Sequence, residues 1–134
     1  MFFAEGGQSS TGSVLDWMRG LVAHGVAHDP TERGGRARVA HEALSYKQLD
    51  ALAAGVPAGA GGLLVLETFQ GARTPDTDPH ARGAIIGLTL AHGRAELWRA
   101  VLEGVALGTR RALGGLARLT ATGECSVIKV CPYF

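Results

Sequence analysis

The stretch GAIIGLTLAHGRAELWRAVLEGVALGTRRAL, residues 83–113, decides the fold. Its first six residues, Gly83 to Leu88, form a short apolar run between turn formers and read as a strand. From Ala95 to Leu113 the apolar positions fall at helical spacing. Leu97, Val101, Gly104 and Gly108 share one face, while Trp98, Leu102 and Val105 widen the stripe. Each interior glycine costs about 1 kcal/mol relative to alanine, so close packing against another backbone is the expected reason for both. Just upstream, Leu63-Leu64-Val65-Leu66 follows the turn Gly59-Ala60-Gly61-Gly62 and reads as a strand buried on both faces. Between the two strands runs a polar loop, Phe69 to Arg82, holding two prolines.

Further out the pattern becomes helical again. Ser9, Ser10 and Thr11 offer N-cap hydroxyls to a helix carrying Val14, Leu15, Met18, Leu21 and Val22 on one face, with Gly25 as its stop. Thr31 to Arg38 is polar and reads as a loop. Ser45-Tyr46-Lys47-Gln48 has capping-box spacing and opens a short helix to Ala54, closed by Gly55 and Pro57. Val127 to Val130 is a last strand candidate, in a tail (123–134) whose composition differs from the 1–122 body. Strands mixed with helices and glycine turns make the class α/β or α+β.

Composition narrows the function. The chain has 134 residues, enough for one domain, and its 46% hydrophobic content supports a core. Thirteen Lys and Arg balance twelve Asp and Glu, which speaks against a nucleic-acid surface. Apolar runs fall far short of the about 20 residues of a membrane span, and no secretory signal is visible, so a cytoplasmic address is the expectation. Cys125 and Cys131 lack redox or zinc spacing and read as free thiols. Twenty glycines suit a fold with close backbone approaches, as nucleotide handling requires; a GC-rich codon bias, suggested by eleven Arg against two Lys, explains them equally.

Three linked motifs resemble the FGGY carbohydrate kinases. Gly83 to Leu88 followed by Glu96 to Glu103 is similar to the second family motif. Gly71-Ala72-Arg73-Thr74-Pro75 and Asp78-Pro79-His80-Ala81-Arg82-Gly83 resemble the preceding loop, and Glu5-Gly6-Gly7-Gln8-Ser9-Ser10-Thr11-Gly12 with Asp16-Trp17 resembles the ribulokinase-like branch. The resemblance runs from about Phe3 to Leu113. It implies a partial actin-like (ribonuclease H-like) ATPase domain, an incomplete sheet with packed helices, taken from the nucleotide side of a two-domain kinase. It also implies ATP and Mg²⁺, a sugar acceptor such as ribulose or xylulose, and nucleotide contacts at Gly7, Ser10, Thr11, Gly12 and Asp16. Asp16 stands where glycerol kinases show an amide side chain.

The residues themselves admit more than one reading. Glycines let backbone approach phosphate, and a helix N-terminus adds free N–H groups; Ser9 to Thr11 could equally do no more than cap. Arg73, Asp78 and Arg82 either organise a cleft edge or hold their own loop by ion pairs. Glu103, on an apolar face, either partners an arginine or a backbone turn, the expected case, or faces the cleft. His24 and His28 have helical metal spacing, but Gly25 and Pro30 break the helix, and no metal site is expected. Arg33, Arg36 and Arg38 lack interleaved aromatics, and Trp17 and Trp98 read as core anchors.

No D-x-G-T phosphate loop, catalytic aspartate or glycine triplet is found, so catalytic residues and metal ligands are expected outside this sequence. The chain is then part of an ATP-dependent sugar kinase, inactive alone, its partner either an amino-terminal kinase domain or a second copy. The alternative is a non-catalytic interaction module.

Overall fold

The computed structural model describes residues 6–23, 43–73 and 75–120. Its elements are α1 (Thr11–Val22), α2 (Tyr46–Ala54), a 3₁₀ turn (Ala60–Gly62), β1 (Leu64–Leu66), β2 (Ala84–Ile86) and α3 (Arg94–Thr120). Gly25, the histidine pair, the 31–38 loop, both cysteines and the 127–130 strand candidate lie outside the described residues.

β1 and β2 pair antiparallel, with Leu64 opposite Ile86, Val65 opposite Ile85 and Leu66 opposite Ala84. Only one face of this ribbon is covered. Val65 is 4% exposed, whereas Leu64 and Ile86 are 56% and 59% exposed. The expected burial of β1 on both faces is therefore corrected: α3 covers one side, and among the described residues no element covers the other. An all-apolar run cannot report this, because it lacks the alternation that a half-buried strand usually shows.

α3 organises the rest. It packs on α1, on α2 and across β1. Trp98, 1% exposed, is the core anchor, its indole Nε1 donating to Asp50 Oδ1 at 2.8 Å and its ring 5.9 Å from that of Tyr46. Met18, Leu49 and Val101 fill the space around it. At Gly104 the strand comes so close that a Cβ would lie 2.6 Å from the Val65 carbonyl oxygen, which explains this interior glycine. Glu103 accepts from Arg99 at 2.6 Å and from the Gly59 N–H, the partners its position demands. The helix also outruns its expected end at Leu113, because Gly115 packs against Pro75 and Leu116 against Gly6. Tertiary contact here overrides the weak helix propensity of Gly114-Gly115.

Two local expectations divide. Ser45 forms the full capping box with Gln48, each side chain bonded to the other's backbone. At α1, by contrast, Ser10 stands at the N-cap position without capping: its hydroxyl donates to the Ser9 carbonyl at 2.7 Å. Trp17, expected in the core, is 46% exposed and tilts against Phe69 at 5.1 Å, because the inward stripe of α1 is Val14, Met18 and Val22.

Gly104→Ala is expected to cost about 2 kcal/mol, since backbone must move to admit the methyl group. Gly114→Ala, with open space around it, should stabilise by up to about 1 kcal/mol. Urea unfolding of the two variants measures both, and equal effects would contradict the close crossing.

Candidate functional site

The bend from Gly6 to Ser10 enters α1 along an unusual path. Ser10 has φ 62° and ψ 30°, left-handed backbone that a non-glycine residue occupies only when its surroundings hold it there. Right-handed helix begins at the next residue. A left-handed residue followed by a right-handed one turns successive N–H groups toward one side, the nest arrangement that binds anions. The first helical bond runs from the Val14 N–H to the Ser10 carbonyl at 2.9 Å. Among the described residues no acceptor takes the N–H groups of Thr11, Gly12 and Ser13, and no side chain caps them. A twelve-residue helix thus points free donors and its positive dipole end outward.

The five residues named from the sequence fall into two groups. Gly7 lines a small concavity together with Gln8, Ser9, Glu67, Arg73 and Arg111. Its volume of about 20 Å³ holds no more than a water, so a triphosphate would lie over the mouth of the bend rather than inside. Ser10, Thr11, Gly12 and Asp16 follow along the helix and do not line this concavity. Asp16 turns to α2: it accepts from Arg19 Nη2 and from the Tyr46 hydroxyl, each at 3.1 Å, and Arg19 stacks over the Tyr46 ring at 5.0 Å. Those donors, Arg19 first and Tyr46 second, hold the exposed Asp16 carboxyl below its ordinary range, and Asp16, followed by Tyr46, raises the Arg19 guanidinium.

In the loop, neither Asp78 nor Arg82 forms an ion pair among the described residues. Asp78 accepts from the His80 N–H at 2.8 Å, and Arg82 Nη1 donates to the carbonyls of His80 and Ala81. The expected ion-pair network is replaced by backbone bonds, while Arg111 pairs with Asp76 at 2.7 Å. Gln8, Glu67 and Arg111 were not legible as site residues. The signal was Gly108, whose missing side chain makes room for Gln8 and Glu67. A second groove of about 300 Å³ lies between Trp17 and Phe69, with Ser13 and Gln70 on its rim.

Among the described residues no group of three or more His, Cys, Asp or Glu could cage a metal ion. No helix there is long and apolar enough to cross a membrane.

Comparison with known proteins gives the family. The family model "FGGY family of carbohydrate kinases, C-terminal domain" fits residues 1–130. A ribulokinase from Shouchella clausii is 34% identical over 84% of this chain and 19% of its own length. The crystal structure of xylulose kinase from Rhodospirillum rubrum superposes with a TM-score of 0.55 at 41% identity, covering 84% of this chain and 18% of that one. That of a xylulose kinase from Lactobacillus acidophilus gives 0.60 at 28% identity, over 83% and 19%. The chain belongs to the FGGY family of carbohydrate kinases, within its C-terminal domain, and its fold is part of an actin-like ATPase domain. It spans about a fifth of the length of these relatives.

The carboxylates set an acid limit on stability. Glu96 accepts from the Gly93 N–H at 2.8 Å, and bonds to its own and the Gly93 N–H lower its pKa, as the partners of Asp16 lower that carboxyl. Depressed carboxyls stabilise the fold above their unfolded-state range, and the contribution disappears as pH falls through their folded values. Thermal unfolding between about pH 6 and pH 3 should show a smaller loss of midpoint in Asp16→Asn/Glu96→Gln than in the parent chain. An identical loss would remove these groups from the account.

Proposed function

We propose that this chain forms the nucleotide-side part of an ATP-dependent carbohydrate kinase that transfers the γ-phosphoryl group to a hydroxyl of a pentulose such as ribulose or xylulose. The uncapped, outward-facing amides of Thr11, Gly12 and Ser13, in a family of carbohydrate kinases, are the observation that supports it. Phosphoryl transfer relies on positioning and on stabilising spread negative charge, which rigid amides at a helix N-terminus supply without reorganising.

ATP supplies the phosphoryl group and the triphosphate charge. The N–H groups of Thr11, Gly12 and Ser13 would hold phosphate oxygens, Gly7 leaves open space for the approach, and the α1 dipole adds attraction. Among the described residues no group of three or more His, Cys, Asp or Glu could hold Mg²⁺, so its ligands would come from elsewhere in the complete enzyme. The general base and the sugar-side domain would come from outside this sequence, which covers about a fifth of its relatives. Supplying the amino-terminal region of a matched xylulose kinase should produce pentulose-dependent ADP release that neither piece shows alone. Absence of turnover with pentuloses and glycerol in every combination would overturn this reading.

The bare outer face of β1 and β2 supports a second reading of this chain, an interaction module that associates through an interface. Leu64, Leu66 and Ile86 present aliphatic surface without charge. In the absence of a kinase partner we expect a second copy to cover it. Sedimentation should show concentration-dependent dimers that Ile86→Lys abolishes; a monomer throughout would contradict self-association.

A further inference from the structure

Gln8 is held at both ends of its side-chain amide. Nε2 donates to the Val105 carbonyl oxygen at 3.1 Å, and Oε1 accepts from Thr109 Oγ1 at 2.7 Å. Both partners lie on the middle turns of α3, 97 and 101 residues away in sequence. The Thr109 hydroxyl also lies 3.0 Å from the Val105 carbonyl, so the three groups close on one another.

Gly108 makes the arrangement fit. A Cβ there would run into Gln8 Nε2 and Glu67 Oε1. Two residues before Gln8, Gly6 packs so closely on Leu116 that a Cβ would lie only 3.1 Å from its Cγ. Two residues after it, Ser10 adopts its left-handed conformation. The bend is therefore fastened to α3 on one side and released into α1 on the other. With its acceptor and a donor already engaged by α3, Gln8 orients the bend instead of reaching for a ligand.

We infer that Gln8, seated in the Gly108 notch, is a positioning residue that fixes the amide row of Thr11 to Ser13 for an oligophosphate, a role resting on the phosphate-side reading above. Pre-organised donors bind more tightly because ordering them costs nothing further on association. The same helix meets β1 at Gly104, one turn earlier, so the bend and the strand share one support.

The test uses the full chain, with inorganic tripolyphosphate as the probe. Gly108→Ala is the decisive variant. The atoms it meets are the ends of flexible side chains, so the fold can admit it while Gln8 is expelled, and alanine favours the helix. Its thermal midpoint should hold or rise, while backbone order parameters at Gly7 to Gly12 fall from about 0.85 to below about 0.6. Tripolyphosphate affinity should weaken about tenfold. Gln8→Ala and Thr109→Val should follow in direction, and Thr109→Ser, which keeps the hydroxyl, should behave as the parent.

A bend equally rigid in Gln8→Ala and Gly108→Ala overturns the tether. A loosened bend with undiminished tripolyphosphate affinity overturns the positioning role. A loosened bend in a chain whose parent shows no tripolyphosphate shift at Gly12 supports the tether and overturns the phosphate-side reading instead.

Discussion

Helix α3 can cross β1 as it does because residue 104 carries no side chain, leaving the Val65 carbonyl within contact of the helix backbone. That crossing fixes where everything else attaches. Four residues on, Gly108 receives Gln8 and Glu67, and farther along, Gly115 receives Pro75. Three glycines on one helix thus admit a strand, the bend before α1 and the loop between the strands. On its other flank, Trp98 and Asp50 fasten α2. Each glycine weakens the helix intrinsically, and the close contacts it permits offset that cost.

The bend inherits its rigidity from this support. Ser10 would not remain left-handed on a free chain, since the conformation is uphill for any residue with a Cβ. Fastening the preceding residues to α3 leaves the strain at Ser10 and the donors of the first helical turn unspent. Asp16, a turn later, is spent already: Arg19 and Tyr46 occupy its carboxylate and tie α1 to α2. In the proposed reading, backbone amides, more than side chains, are therefore what would meet an anion.

Much of the fold was legible because its signals are local. The capping box at Ser45, the β2 run, the close-approach glycine at Gly104 and the partnered Glu103 all follow from residue chemistry at short range. What escaped depends on distant neighbours. Trp17 looks like a core residue until α1 is rotated by the packing of Met18, and Leu64 looks buried until the ribbon is seen to have one covered face. Ser10 carries a good capping side chain, yet the tether at Gln8 sets its backbone and turns the hydroxyl elsewhere. The length of α3 was hidden by Gly114 and Gly115, which terminate helices on a free chain; here Gly115 lies against Pro75 of the loop and the next residue, Leu116, against Gly6 of the bend.

The chain belongs to a family of carbohydrate kinases, and in the proposed reading the bend is where phosphate would lie. The most direct measurement is the amide spectrum of the chain titrated with ADP. The account predicts shifts centred on Gly7, Thr11 and Gly12, with the ribbon face of Leu64 and Ile86 unmoved. Saturable binding that leaves those three amides untouched would contradict it.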